Sequence, residues 1–305
     1  MESNKKLIVI TGATATGKTK LAVRLAYDLN GEIISADSRQ VYRGMNIGTG
    51  KDLADYEING IKIPYHLIDI HEPGHEYNIH DFGHDFRHAL QLIDKKGRQP
   101  VLCGGSGLYI ETAIKGYASD SVPENPHLRD ELRLYSDTEL RDHLMILRKV
   151  HNTTDLTDRT RLIRAIEIGR HIANKPPETH IQHLMIGLKL ERHVLRQRIT
   201  DRLTQRLDEG MINEVYTLLD RGIEPEALVF YGLEYKYLTW YAIGKLSYKQ
   251  MFSGLNTAIH QFAKRQETWF RRMEKNGFII HWIDAALPFE SVAKAAHQII
   301  IREKA

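Results

Sequence analysis

Residues 7–19 read Leu-Ile-Val-Ile-Thr-Gly-Ala-Thr-Ala-Thr-Gly-Lys-Thr, a short apolar run followed by a loop that carries two glycines. Residues 12–19 fit the phosphate-binding pattern G-x-x-x-x-G-K-[ST]. The segment after them is apolar at positions 21, 22, 25, 26 and 29, which is the spacing of an amphipathic helix. Strand, loop and helix in this order are the setting in which the pattern binds phosphate. The stretch therefore predicts a phosphate site, and residues 12–19 are called the phosphate loop below.

Each part of the phosphate loop has a physical task. Glycine at Gly12 and Gly17 lets backbone N–H groups approach phosphate oxygens, and the start of the following helix adds a positive dipole. Lys18 adds a full positive charge, and the hydroxyl of Thr19 is predicted to hold Mg²⁺. The loop predicts phosphate binding but does not identify the reaction.

Further along the chain, four segments have the composition of buried strands, at residues 32–35, 100–103, 184–190 and 278–283. Helical stretches separate them, and this alternation is typical of a parallel α/β sheet. We expect an α/β fold with a P-loop kinase-like parallel sheet core, formed by residues 1–114 and 178–305. The polar segment at residues 115–177 is predicted to be a helical insertion.

The composition is that of an ordinary globular protein, with 305 residues of which 42% are hydrophobic. Lys and Arg outnumber Asp and Glu by only 42 to 39, so a basic surface must come from local clustering. The single cysteine, Cys103, excludes an intramolecular disulfide and a Cys-rich zinc finger, and it suits a reducing compartment. Neither a signal peptide nor a run of membrane-spanning length is apparent. We expect a cytoplasmic monomer without membrane contact.

Asp37 follows the second predicted strand, at the sheet edge where folds of this kind build their sites. From its position alone it could coordinate magnesium, accept a proton from a substrate, or cap the next helix. The residue type and position of Asp37 are compatible with all three roles.

Several motifs together resemble the tRNA dimethylallyltransferases. They fall in that family's order from residue 7 to about residue 284, and as a set they are highly specific. They are the phosphate loop, Asp-Ser-Arg-Gln-Val-Tyr-Arg-Gly-Met-Asn-Ile-Gly-Thr at 37–49, Pro-Tyr-His-Leu-Ile-Asp at 64–69, Gly-Gly-Ser-Gly-Leu-Tyr at 104–109, Arg-Leu-Ile-Arg-Ala-Ile-Glu at 161–167, Arg-Ile-Thr-Asp-Arg at 198–202, Gly210 with Glu214 and Val215, and Ala-Lys-Arg-Gln-Glu-Thr-Trp-Phe-Arg at 263–271. Residues 228–235 differ from the family's usual Gly-Tyr-Arg/Lys-Glu pattern, which in relatives lies against the RNA.

The resemblance implies transfer of a dimethylallyl group from dimethylallyl pyrophosphate to the N6 amine of the adenosine adjacent to the anticodon of tRNA. It implies that Asp37 is the general base, because the N6 lone pair is delocalised into the ring and the amine must lose a proton as it attacks. It also implies that the phosphate loop and Mg²⁺ at Thr19 stabilise departing pyrophosphate, with Lys18 and Thr19 counted beside Asp37 as catalytic. The implied donor-binding residues are Gly12, Ala13, Thr14, Ala15, Thr16, Gly17, Lys18, Thr19 and Arg202.

For RNA, the resemblance implies contacts to the anticodon stem-loop from both the core and the insertion. An adenine must leave the base stack to enter a pocket, and a helical insertion could hold the stem through its phosphates. The implied tRNA-binding residues are Asp37, Ser38, Arg39, Gln40, Ser106, Arg129, Thr160, Arg161, Leu162, Ile163 and Arg164. For the arginines of the insertion, a solvated helix surface is the alternative.

Arg202 can also be assessed from its position on a predicted helix. It and Arg206 project at the edge of an apolar stripe through residues 195, 199, 203 and 207. An inward guanidinium needs an anion, which could be an internal Asp or Glu or a bound pyrophosphate. The resemblance favours pyrophosphate for Arg202 and leaves Arg206 unassigned.

Three other functions remain open on the sequence. An isopentenyltransferase acting on free adenine nucleotides would share the phosphate loop and Asp37. A small-molecule kinase would use the loop for ATP. A non-catalytic RNA-binding relative is the third, although intact Lys18, Thr19 and Asp37 argue against it.

Overall fold

The structure is a computed structural model that describes residues 5–115, 122, 124–147, 156, 158–173 and 181–303, excluding the side chains of residues 172 and 173. The chain forms two compact units. The first comprises Met1–Ile114 and Ile181–Ala305, and the second is Lys115–His180. The predicted end of the insertion at residue 177 lies outside the described residues.

A six-stranded parallel sheet forms the centre of the first unit, and it confirms the predicted α/β fold class. Its strands are β1 Leu7–Gly12, β2 Gly31–Ser35, β5 Tyr65–His66, β6 Gln99–Cys103, β7 His183–Lys189 and β8 Ile280–Asp284. The strand order is β5-β2-β6-β1-β7-β8, so β1, which leads into the phosphate loop, lies between two others and is paired along both edges. A separate antiparallel pair is formed by β3 Glu57–Ile58 and β4 Ile61–Lys62.

Helices of the first unit pack their apolar faces on the sheet or on one another. The helix α1 begins directly after Gly17 and buries Leu21, Ala22, Leu25 and Ala26, as the spacing predicts. In chain order the helices are α1 Lys18–Asp28, the 3₁₀ helix Leu53–Tyr56, α2 Ile79–Lys95, α3 Gly107–Lys115, α7 Arg192–Asp208, α8 Met211–Asp220, α9 Pro225–Phe230, α10 Leu233–Ala242, α11 Tyr248–Lys275 and α12 Phe289–Arg302. Across the described residues, no helix is both long and apolar enough to cross a membrane.

The second unit is helical where it is described. It contains α4 Pro126–Arg133, α5 Asp137–Leu147 and α6 Arg159–Ala173. These helices share a small core of their own, built mainly from leucine and isoleucine at positions 132, 140, 144, 162, 163 and 166. The unit therefore has its own packed interior.

The carboxyl ends of β1, β2 and β6 lie side by side in the sheet. The phosphate loop leaves β1, Asp37 follows β2, and Gly104 follows β6. Because parallel strands point their carboxyl ends to the same edge, three segments that are distant in sequence meet there.

Candidate active site

A cavity of about 470 Å³ lies at this edge, within the size range of small-molecule sites. Its walls combine the phosphate loop with polar and charged residues from the ends of β2 and β6 and from the helices α7, α10 and α11. The lining includes Thr14, Lys18, Thr19, Asp37, Ser38, Arg39, Gln40, Gly104, Gly105, Ser106, Arg202, Arg206, Tyr231, Gly232, Glu234, Phe262, Arg265 and Gln266.

Glycine is required at the start of the phosphate loop. Gly12 has φ 146°, and a Cβ there would lie 2.4 Å from the carbonyl oxygen of Leu188 on the neighbouring strand. At the other end, Gly17 takes the left-handed conformation and precedes the first residue of α1. Inside the loop, the Thr16 hydroxyl donates to the Ala13 carbonyl oxygen at 2.8 Å. The loop therefore has a fixed shape at the N-terminus of a helix, which is where anions bind.

Lys18 points back into the loop. Its Nζ donates to the carbonyl oxygen of Ala13 at 2.7 Å. Burial lowers the pKa of Lys18 to about 8, an effect that Arg202 adds to and that Cys103, Asp37 and Asp52 oppose. A bound anion would favour the ammonium form, so this lysine is suited to hold phosphate.

Asp37 lines the same cavity and accepts a hydrogen bond from the backbone N–H of Arg39 at 2.9 Å. Burial raises its pKa, although Arg39 and Lys18 act in the opposite direction. Residues 38–52 contain no helix, so the helix-capping role is wrong and Asp37 instead closes a turn. A carboxylate with a raised pKa beside a cavity is a better proton acceptor than an exposed one.

Arg202 and Arg206 project from α7 toward the phosphate loop. Arg202 donates to the Thr14 hydroxyl at 3.4 Å and to the Asp52 carboxylate at 2.5 Å. Arg206 donates to the same carboxylate at 2.9 Å. Burial, with the neighbouring Arg206, lowers the pKa of Arg202. Thus an internal carboxylate and a phosphate-binding loop both lie within reach of this pair.

Gln266 joins two edges of the cavity. Its Oε1 accepts the backbone N–H of Thr14 at 2.8 Å, and its Nε2 donates to the Gly105 carbonyl oxygen at 3.0 Å. It comes from the middle of α11 and is buried. Gln266 belongs to the motif at residues 263–271, but neither the periodicity nor the spacing of the sequence predicts its contact with the phosphate loop.

Within residues 228–235, whose role the resemblance leaves open, residues 229–234 line the cavity. Tyr231 packs edge-on against Tyr42, with ring centroids 4.6 Å apart, and its hydroxyl oxygen accepts the N–H of Gly74. Glu234 lies in the first turn of α10, and burial raises its pKa. The segment is therefore part of the site and not an external loop.

The core residues implied for tRNA binding also meet at this cavity. Ser38 lines the cavity, and Arg39 lies over the Phe230 ring, 5.8 Å from its centroid. Gln40 donates to the Gly50 carbonyl oxygen at 3.1 Å, and its Oε1 accepts the hydroxyl of Ser35. Ser106 lines the cavity at the start of α3.

In the second unit, the implied tRNA-binding residues have different surroundings. Arg129 and Arg164 both pair with the buried carboxylate of Glu167, and Arg164 also donates to the Val122 carbonyl oxygen at 2.9 Å. These two arginines are thus partly committed to an internal ion cluster and are not simply a solvated surface.

Thr160 and Arg161 are exposed on the first turn of α6. Leu162 and Ile163 are buried in the unit's core, 1% and 8% exposed. Their burial contradicts side-chain contact between these two residues and RNA, because their side chains pack in the core of the unit while Thr160 and Arg161 are exposed.

The predicted magnesium ligand fits the site. The Thr19 hydroxyl and the Asp37 carboxylate both line the cavity. The described residues hold no cluster of three His, Cys, Asp or Glu that could bind a metal alone. Mg²⁺ keeps several waters and shares phosphate oxygens, so one or two protein oxygens suffice. Cys103 lines the same cavity, and burial raises its pKa to about 11, so it is a neutral thiol at physiological pH.

Comparison with known proteins gives consistent results along the chain. The family model described as IPP transferase matches residues 40–273, and one described as isopentenyl transferase matches residues 5–68. A protein named tRNA dimethylallyltransferase 2 from Bacteroides fragilis is 56% identical over 288 residues, covering 93% of this chain and 94% of that protein. A protein of the same name from Porphyromonas gingivalis is 55% identical over 297 residues, covering 96% and 98%.

Among solved structures, the full-length tRNA isopentenylpyrophosphate transferase from Bacillus halodurans is similar, with a TM-score of 0.73 and 35% identity. The match covers 98% of this chain and 96% of that one. The family model spans residues 40–273, the relative and the solved structure cover more than 90% of the chain, and this chain belongs to the IPP transferase family.

Proposed function

We propose that this protein transfers the dimethylallyl group of dimethylallyl pyrophosphate to the N6 amine of the adenosine next to the anticodon of tRNA, releasing pyrophosphate. The observation that carries the proposal is that a loop suited to bind anions and the half-buried carboxylate of Asp37 line one cavity. The first can hold the leaving group and the second can accept the proton of the amine. The names of the relatives and of the Bacillus halodurans structure support the same reaction.

The donor would bind with its pyrophosphate on the phosphate loop. Backbone N–H groups at the start of α1, the ammonium of Lys18 and the guanidinium of Arg202 would contact its oxygens. These groups stabilise the negative charge that develops as the bond between the allylic carbon and the pyrophosphate oxygen breaks. Held by Thr19 when it is bound, magnesium would add charge stabilisation on pyrophosphate.

The acceptor adenine would enter from the open side of the cavity. As N6 forms its bond to the allylic carbon, one N6 proton passes to the Asp37 carboxylate, so the product amine is neutral. Arg39, Gln40 and Ser106 line the cavity beside Asp37 and are placed to contact the nucleotide. Thr160 and Arg161 would contact the anticodon stem. A cytoplasmic monomer, the expectation from the sequence, is compatible with such a substrate.

The test is an incubation of purified protein with magnesium and radiolabelled dimethylallyl pyrophosphate, and with unmodified tRNA or AMP in separate reactions. Label in tRNA alone supports the proposal. Label in AMP would assign the protein to the enzymes that act on free nucleotides. Label in neither, with tRNA still bound, would refute the transferase proposal. Asp37→Asn is the matched variant, because it keeps the shape of the side chain and removes its basicity.

A further inference from the structure

One carboxylate lies between the two arginines of the donor site. Asp52 accepts from Arg202 at 2.5 Å and from Arg206 at 2.9 Å. Arg206 is the more enclosed of the two, with 11% of its side chain exposed, whereas 34% of the Asp52 side chain is exposed. Asp52 thus binds the same guanidinium groups that face the phosphate loop, without being fully removed from water.

The loop that carries Asp52 is held in place from several directions. The Glu214 carboxylate of α8 accepts the backbone N–H groups of Asn46, Ile47 and Gly48 at 2.7, 2.8 and 3.0 Å. The hydroxyl of Tyr235 donates to Glu214 at 2.5 Å. Because these contacts fix the loop before any ligand binds, Asp52 is part of a preformed site.

Two further contacts bring the end of the loop against the arginines. A Cβ at Gly50 would lie 2.2 Å from a guanidinium nitrogen of Arg206. Asp52 itself has φ 47° and ψ 48°, the left-handed conformation. Few residues other than Gly, Asn and Asp adopt it readily. This backbone aims the Asp52 side chain at the arginines and not at solvent.

Asp52 is charged at neutral pH. Burial acts to raise its pKa, but the positive charges of Arg202 and Arg206 outweigh burial and hold the pKa below its ordinary value. The two arginines are therefore already neutralised in part by an anion that belongs to the protein. A diphosphate that approaches them must displace this carboxylate or bind beside a like charge.

We propose that Asp52 is an internal counter-anion that competes with the donor's diphosphate for Arg202 and Arg206, and so limits the affinity for donor and for released pyrophosphate. The inference rests on the proposed function, since it concerns the same donor site. Asp52 is a positioning residue here and contacts no reacting atom. Its effect is to keep the arginines ordered in the free protein while preventing the product from binding too tightly.

The test is a titration of wild type and Asp52→Asn with inorganic pyrophosphate and magnesium, without RNA, by isothermal calorimetry. Asparagine accepts the left-handed backbone and keeps the side-chain shape, so the variant changes mainly the charge. We take the Asp52 carboxylate to lie about 6 Å from the diphosphate, at an effective dielectric constant near 20, and reduce their repulsion for solvent exposure. Removal of this repulsion predicts roughly 5- to 50-fold tighter pyrophosphate binding by Asp52→Asn than by wild type. The gain should shrink in 0.5 M salt, because screening weakens the repulsion.

Asp55→Asn is the matched control. Asp55 lies three positions along the chain in the 3₁₀ helix and is exposed, and its loss changes net charge equally. It should alter the affinity less than threefold. Asp52→Gly, which removes the carboxylate without backbone strain, should also bind pyrophosphate more tightly than wild type.

Unchanged or weaker pyrophosphate binding by both Asp52 variants would overturn the inference, since it would mean that the carboxylate only orients the arginines. In transfer assays the KM for the donor should fall together with the Kd, whereas a merely structural role would lower kcat and the melting temperature with the Kd unmoved. The titration involves neither RNA nor transfer. Failure of the wild type to modify tRNA would therefore refute the proposed function and still leave this titration to decide the role of Asp52.

Discussion

Raising the pH from 7.5 to 9.5 should weaken binding of dimethylallyl pyrophosphate about 25-fold, because Lys18 loses its proton over this interval. The pKa of Lys18 in the free protein is lowered to about 8 by burial. The lysine is then about three-quarters protonated at pH 7.5 and about 3% protonated at pH 9.5. A bound diphosphate favours the ammonium form and raises this pKa. The affinity for the diphosphate is therefore highest below the pKa of Lys18 and falls as the pH rises above it.

The assay is the Kd of the donor, measured by calorimetry without RNA at pH 7.5, 8.5 and 9.5. Lys18→Arg is the control that keeps a positive charge throughout, and its Kd should change less than threefold across the interval. Lys18→Met should bind weakly at every pH, with the same flat profile. A wild-type Kd that stays constant, or a slope that persists in Lys18→Met, would show that Lys18 does not contact the diphosphate.

Asp37→Asn should lower kcat by about 10²- to 10⁴-fold with the Kd for tRNA within twofold, and equal losses in both would contradict its role as the base. Arg161→Ala should weaken tRNA binding and reduce its salt slope by about 1 without loss of stability, since the side chain is exposed. Arg129→Ala should instead lower the melting temperature, because it removes a partner of a buried carboxylate. Lys51→Met should cost about 2–4 kcal/mol in the free energy of unfolding, because this fully buried ammonium donates to the Tyr42 carbonyl oxygen, Asn46 and Asp69. The same change at exposed Lys62 should cost less than about 0.5 kcal/mol.

The sheet was largely predictable because parallel strands that are buried on both faces have nearly continuous apolar sequences, and most strands of this sheet are short apolar runs. All five predicted strands are present, with ends that differ by up to two residues. The sixth strand, Tyr65–His66, and the hairpin Glu57–Lys62 were not predicted. Segments of two residues carry no periodicity, and their pairing depends on what the fold places beside them.

The site was predictable where one local motif carries the chemistry, as at the phosphate loop and Asp37. It was not predictable where a residue acts through distant partners. Gln266 meets Thr14 across 252 positions, and Asp52 meets Arg202 across 150. Neither residue type nor spacing reveals such pairs, since they form only when the carboxyl ends of the strands come together. Leu162 and Ile163 show the opposite kind of error. All residues of their motif were predicted to contact RNA, although the side chains of these two pack in the core.

Lys18, Arg202 and Arg206 share one property, which is that each donates to an internal partner. Lys18 donates to the Ala13 carbonyl oxygen, and the arginines bind Asp52. The binding free energy of the diphosphate is then the difference between new and replaced contacts, and not their full strength. A carbonyl oxygen is a weaker partner for a cation than a carboxylate is. Lys18 should therefore exchange its partner at a lower cost than Arg202 and Arg206, so replacing Asp52 should raise the affinity for pyrophosphate, whereas deprotonating Lys18 should lower it.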